Sequence, residues 1–300
     1  DAGRVRAPAM AGPQRLADRF NNADRQREDW TVDAGIELRW TAVVGTSLVG
    51  ELTRTSRLPT YVERYGWLPL AAASGAADGR RYVGDLAIEP EVAHGLSLAV
   101  EHRRADWSAD GRGFVQWVDD YITGVPATDP TVIMVSTANG DPEPLQWQNT
   151  EALLYGVELS ADYRAWEPWF IEGRIDAVFG ERRDIDDDLY RIAPPQGQLV
   201  VGQRWADWQW SGQWRGALEQ DRLAASVAEV GTDAWLVLDL RLQWRPAPDA
   251  DLVIGLDNVF DSDAAEHLAS VNRVRGSDVA VGERLPMAGR SVWLSLTQEW

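Results

Sequence analysis

Glu158, Glu172 and Asp176, with the guanidinium of Arg174 among them, are the residues whose types best suit acid–base chemistry. A carboxylate moves protons when its surroundings hold it close to its titration point. Their spacing points elsewhere. Glu172, Arg174 and Asp176 stand two residues apart, so on an extended chain they form a charged ladder along one face. The histidines His94, His102 and His267 have no spacing that would gather them on a metal. Met134 and Met287 carry soft sulfur that suits Cu(I), and their plain reading is packing within loops. Neither a metal site nor a cofactor is expected. A better binding group is Arg57, Tyr61, Arg64, Tyr65 and Trp67, joined further along by His267, Arg273 and Arg275. Guanidinium forks match carboxylate or catecholate oxygens, and exposed rings stack on flat ligands.

Composition and period set the elements that must position these residues. A formal net charge of -18 over 300 residues argues against nucleic acid, which calls for a basic face. The absence of Cys excludes a disulfide framework, thiolate catalysis and a Cys-based zinc site. No apolar run approaches the ~20 residues of a membrane-crossing helix. Solubility does not follow, because a membrane barrel alternates apolar and polar residues and averages to a hydrophilic value. The chain opens at Asp1 with neither a charged n-region nor an apolar h-region, so no leader is expected within it.

Period two dominates. Trp30, Val32, Ala34, Ile36, Leu38 and Trp40 alternate with Thr31, Asp33, Gly35, Glu37 and Arg39. Leu153, Tyr155, Val157 and Leu159 alternate in the same way with Gly156, Glu158 and Ser160. Successive side chains of a strand point to opposite faces, so one face is apolar and the other charged. The pattern predicts strands over 30–41, 44–54, 92–104, 112–123, 148–163, 168–181, 197–206, 208–219, 233–245, 250–258 and 289–300. Ile36, Leu38, Val157, Leu159, Ile175, Leu238, Leu240 and Leu294 should share a lipid-facing surface. Glu37, Arg39, Glu158, Glu172, Arg174, Asp239 and Arg241 should face a polar interior. Trp30 to Trp40 spans roughly 33 Å of strand, or roughly 24 Å of height at a ~45° tilt, close to the ~25 Å apolar band of a membrane barrel.

The connections are a second signal. Those after 41, 104, 163, 206 and 245 are short, and those after 54, 123, 181, 219 and 258 are long. Membrane barrels have short periplasmic turns and long outer loops. Ala42, Asp207 and Pro248 should therefore lie on one rim, with Gly75, Asn139 and Ser270 on the other. Residues 1–29 read as the tail of another outer loop, and Trp300 as the end of a strand running to the periplasmic rim. Asp257, Asn258 and Asp261 read as shaping a strand end.

Several stretches resemble TonB-dependent receptors. They are Leu58-Pro59-Thr60-Tyr61-Val62-Glu63-Arg64-Tyr65-Gly66, Glu89-Pro90-Glu91, Leu154-Tyr155-Gly156-Val157-Glu158-Leu159, Gly255-Leu256-Asp257-Asn258-Val259-Phe260-Asp261, and Gly289-Arg290-Ser291 before a last alternating strand. The resemblance implies an all-β fold: an antiparallel transmembrane β-barrel, of which residues 1–300 are the C-terminal portion. About eleven strands of a larger plugged barrel are expected, without the plug domain. It further implies a bacterial outer-membrane receptor and transporter rather than an enzyme. Its expected partners are outer-membrane lipid, its own N-terminal plug, the TonB complex reached through the missing N-terminal part and its TonB box, and a small-molecule ligand. Ferric siderophore is the family default, followed by a copper complex, cobalamin or a saccharide. The rival reading is a soluble Trp-rich β-propeller or carbohydrate-binding β protein, which predicts a buried core for the apolar face and blade-like repeats. A barrel enzyme is a third reading, and it needs a His with a Ser or Asp clustered on one rim.

Overall fold

The computed structural model describes residues 3–8, 10–71, 78–164 and 166–298. The alternating segments form strands β1 (Ala34–Val43), β2 (Thr46–Arg57), β5 (Glu91–Arg103), β6 (Trp107–Pro126), β7 (Leu145–Tyr163) and β8 (Trp169–Arg182). The series continues with β10 (Gln196–Trp205), β11 (Trp208–Ala217), β12 (Trp235–Ala247), β13 (Ala250–Asp257) and β14 (Ser291–Gln298). These eleven pair in sequence order, each antiparallel to the next. Short accessory strands β3 (Leu70–Ala71), β4 (Arg81–Val83) and β9 (Asp187–Asp188) lie in the long loops. Among the described residues the sheet is open: β1 pairs only with β2, and β14 only with β13.

Each expected strand has its counterpart, with shifted ends. β1 begins at Ala34 rather than at Trp30, because side chains replace the ladder above it. The Asp33 carboxylate accepts from Ser56 N at 2.7 Å, and the Arg54 guanidinium donates to Val32 O. The connection after β5 is only the turn at 104–106, so β6 already starts at Trp107. β6 also carries a bulge between Val118 and Tyr121, with Asp120 at a φ of 57°. Gly75 and Trp300 fall outside the described residues.

Register turns the alternation into two continuous surfaces. One row crosses nine strands through Trp40, Leu48, Val100, Gly111, Leu159, Ile175, Gly197, Gly216 and Leu236. This face is exposed: Leu38 is 72%, Ile175 54% and Leu294 66% accessible. A soluble sandwich or propeller would bury these residues, so that reading fails. The opposite face carries Arg112, Glu158, Asp176 and Gln196 side by side. Tryptophans gather at the short-turn end of the apolar face, where Trp205 pairs with Trp208 and Trp208 with Trp244. The Trp208 and Trp244 rings stack at 5.3 Å.

Antiparallel order places the turns at 44–45, 104–106, 206–207 and 248–249 at one end, and the loops holding Asn139 and Ser270 at the other. The long loops contain helices that alternation did not predict. Residues 1–29, expected as loop, contain α1 (Ala11–Asn22), which turns Leu16, Ala17 and Phe20 inward. α2 (Tyr61–Tyr65) and α3 (Pro130–Thr137) follow, and α3 packs against α1. Most of the apolar core lies at this end. Leu16, Val83, Ala127, Val132 and Val135 form one cluster, joined by Trp67 and Leu68. Tyr82, Leu145, Ala224 and Val227 form a second. A third cluster, Val118, Ala152 and Leu189, ties the loops to the upper parts of β6 and β7.

Candidate functional site

The loop crown is built on charged clamps. Arg57 donates to Glu91 at 2.6 and 2.8 Å and to Glu63 at 3.0 and 3.1 Å. Glu63 also closes a capping box with Thr60, which starts α2. Arg64 is buried, donating to both Asp29 oxygens at 2.5 and 3.0 Å and to Ile88 O at 2.8 Å. The hydrogen bond to Asp29 raises its pKa above the ordinary value. Tyr65 donates to Arg25 O at 3.2 Å, and its ring lies 5.1 Å from the exposed ring of Tyr61. Trp67 packs against the first loop cluster. Arg273 and Arg275 are exposed in the last loop, with no side-chain partner among the described residues. His267 sits deep, 3% accessible, its Nε2 3.1 Å from Glu229 Oε1 and its Nδ1 3.1 Å from Thr232 Oγ1.

Glu229 belongs to the wall of a cavity of about 600 Å³ between four loop segments. Asp78, Arg80, Tyr190, Arg191 and Arg284 also line it. Asp78 accepts from Tyr82 Oη at 2.5 Å and Tyr190 Oη at 3.0 Å. Burial, then the nearby Asp78 carboxylate, pushes both phenols up. Glu229 accepts from Arg191 N and from Ala224 N, both at 2.9 Å. Arg191 holds a φ of 62°, an unusual backbone for a side chain of this size, and its guanidinium donates to Leu268 O at 2.7 Å. Arg284 donates to the carbonyls of His267, Gly231 and Val230 at 3.0, 3.1 and 2.7 Å. The Arg80 guanidinium donates to Val227 O at 3.0 Å and to Glu143 O, and it pairs with the Glu143 carboxylate only at 3.9 Å, while Asp78 accepts from the Arg80 backbone N at 3.0 Å. Carbonyls satisfy hydrogens but do not cancel charge. Arg284 accordingly titrates below its ordinary range, chiefly through burial.

Of this basin the sequence pointed only to His267, which braces its wall. The other groups come from positions near 78–80, 190–191, 229 and 284, and no local spacing links them. Along the strands, Arg39 reaches Glu101 at 2.7 Å and Arg215 reaches Asp239 at 3.0 Å. Arg241 meets Asp257 at 2.6 Å, Glu172 lies 3.7 Å from Arg164, and Glu37 lies 3.6 Å from Arg39. Glu158 lies 4.0 Å from Arg112, whereas Arg174 is exposed without a partner among the described residues. These residues share the charged face. His102 stacks on Trp107 at 4.1 Å, with Nδ1 2.8 Å from Thr46 Oγ1. Met134 on α3 and Met10 at the start of α1 are both exposed. Among the described residues, no group of three or more His, Asp or Glu could hold a metal.

An antiparallel meander with an exposed apolar face, short turns at one end and a loop crown at the other is the wall of an outer-membrane β-barrel. Residues 10–259 match the family model described as TonB dependent receptor-like, beta-barrel. The chain belongs to this family, whose members are bacterial outer-membrane transporters and not enzymes. No curated protein matches it. Among solved structures it is similar to the "Copper transporter OprC", at 22% identity and a TM-score of 0.72 over 89% of this chain. It is also similar to the FrpB iron transporter from Neisseria meningitidis (F3-3 variant), at 14% identity, a TM-score of 0.63 and 89% coverage. The siderophore receptor PirA from Acinetobacter baumannii follows at 12% identity, a TM-score of 0.63 and 89% coverage. The chain spans 39%, 39% and 40% of those proteins respectively.

Proposed function

We propose that this chain is the C-terminal part of the barrel of a TonB-dependent transporter in a bacterial outer membrane. Its crown captures a scarce small ligand, and a plug driven through TonB opens the path. The plug and the TonB-contacting segment, with its TonB box, belong to the part of the protein outside these residues. Arg174 and the other charged-face residues meet the plug in this reading.

The ligand is an oxygen-rich anionic chelate of the ferric siderophore class. One observation carries this choice: Arg80, Arg191 and Arg284 line one outer cavity, bonded mainly to carbonyls. Tyr61, Arg273 and Arg275 are accessible for first contact, while Arg57, Arg64, Tyr65, Trp67 and His267 hold the loops in shape. Substituting Arg191→Gln with Arg284→Gln in the complete receptor should weaken binding of the cognate ferric chelate by at least tenfold. Unchanged affinity in equilibrium binding removes the basin from the site. Copper is the second reading, favoured by the exposed thioethers of Met10 and Met134 on two packed helices. Loss of copper uptake in a Met10→Leu, Met134→Leu receptor, with ferric uptake intact, would select it.

A further inference from the structure

The charge of the outer cavity is divided. Arg80, Arg191 and Arg284 line it with their guanidiniums on backbone carbonyls. Asp78 lines it too, and among the described residues this carboxylate forms no ion pair with any of them. Its Oδ1 accepts from Arg80 N at 3.0 Å, and its Oδ2 accepts from Tyr82 Oη at 2.5 Å and Tyr190 Oη at 3.0 Å. All three donors are neutral. They fix the carboxylate in place and leave its negative charge uncancelled at the cavity wall.

The two phenols are held as firmly as the acid. Tyr82 lies in β4, which pairs with β7, and its ring stacks on Trp147 at 4.7 Å with 2% of the residue accessible. Tyr190 follows β9 and packs against the same buried cluster. Three oxygens therefore converge on one spot. Oxygens bound octahedrally at about 2.0–2.1 Å from an ion stand about 2.9 Å apart along each edge, close to the two spacings around Asp78 Oδ2. Phenolate and carboxylate are hard donors, and they suit a small, highly charged cation. Burial and the Asp78 charge push both phenols up, so each keeps its proton until a cation displaces it. The charge of Arg191 acts the other way on both rings and favours phenolate.

We propose that Asp78, Tyr82 and Tyr190 bind ferric iron directly, entering the coordination shell of an iron–polycarboxylate chelate whose own carboxylates lie on Arg80, Arg191 and Arg284. This assignment rests on the cavity being the ligand site, and it narrows the ligand. A chelator that wraps iron completely leaves no position for protein oxygens, whereas small hydroxy- and aminocarboxylates do. On binding, two iron–phenolate bonds and one iron–carboxylate bond form, and three bonds from iron to water or chelator oxygens break. The two phenol protons leave to solvent, and the iron stays ferric. The cavity, about 600 Å³, has room for a chelator of that size beside the ion.

The test is a visible-absorption titration of the complete detergent-purified receptor with ferric nitrilotriacetate, with bound iron counted in parallel by equilibrium dialysis. A phenolate-to-iron charge-transfer band, absent from the chelate alone, should grow in and saturate at one iron per receptor. Tyr82→Phe and Tyr190→Phe each remove one oxygen and keep the ring that packs, so heat-modifiable migration should persist in both. Each should lose most of the band and weaken iron binding at least about tenfold. Iron bound without the band, or a band that survives both substitutions, overturns the direct contact and leaves the arginine-lined cavity as the ligand site. Failure of the chelate to bind overturns it as well. The cavity itself is removed from the ligand path only if Arg191→Gln with Arg284→Gln also leaves binding of the cognate chelate unchanged.

Discussion

The strand wall and the loop crown treat apolar side chains in opposite ways, although one chain builds both. The wall exposes Ile36, Leu98, Leu240 and Leu296 and keeps its ion pairs on the other face. The crown buries Leu16, Tyr82, Leu145 and Val227 and fastens its periphery with Arg57 and Arg64. The difference is the solvent that each region meets. A wall in hydrocarbon gains nothing by hiding leucine, and it satisfies its backbone polar groups through the ladder. A crown in water must bury apolar surface to hold any shape at all.

That contrast makes the two regions fail differently. Arg64→Ala should have the largest effect on the crown, costing about 3–5 kcal/mol because Asp29 is left half-buried without a partner. Protection against hydrogen exchange should fall in α2 and residues 85–90 while the strands keep theirs. Uniform loss across both regions would erase the distinction. Leu240→Arg in the wall should cost about 2–4 kcal/mol in the complete barrel folded into vesicles, read from urea titrations. A crown formed from water-soluble packing would be indifferent to the lipid, and equal costs in vesicles and detergent-free water would contradict this assignment.

A smaller effect tests α3. The Asp129 side chain accepts from Thr131 N at 2.7 Å and Val132 N at 3.2 Å and pairs with Arg19 of α1. Asp129→Ala should cost about 1 kcal/mol by removing the cap. Burial raises the Asp129 pKa, but Arg19 and the two amides outweigh it, so the carboxyl titrates below its ordinary range. A depressed carboxyl stabilises above its unfolded pKa and loses that contribution as pH falls through the folded value. Docking of α3 on α1 should therefore weaken only in strong acid, below the ordinary carboxylate range. Loosening that begins near neutrality would assign the contact to another group.

The wall was legible because lipid imposes a strict period on every strand. Val157, Glu158 and Leu159 disclose their faces without reference to any neighbour. The crown was less so, although its helices left local marks: Thr60 and Glu63 have capping-box spacing, Asp129-Pro130 is a helix start, and Leu16, Ala17 and Phe20 share a helical face. These marks are short and lie between long alternating strands, whose period two masks a helical one. Strand ends escaped because Asp33 and Arg54 substitute side-chain bonds for ladder bonds, a choice that periodicity does not register. The basin escaped for a stronger reason. Arg80, Arg191 and Arg284 meet only after three different loops have folded, so no sequence window contains two of them.

The apolar face of the eleven strands lies against lipid. The sequence contains no Cys, so single spin-labelled cysteines can be placed without background at 153–162 of β7 in the complete receptor, reconstituted in vesicles. The predicted result is period two: odd positions, including Val157 and Leu159, collide readily with oxygen dissolved in the bilayer. Even positions, including Glu158 and Ser160, do not. Odd positions that are shielded from oxygen, or that collide instead with a water-soluble relaxant, would contradict the account.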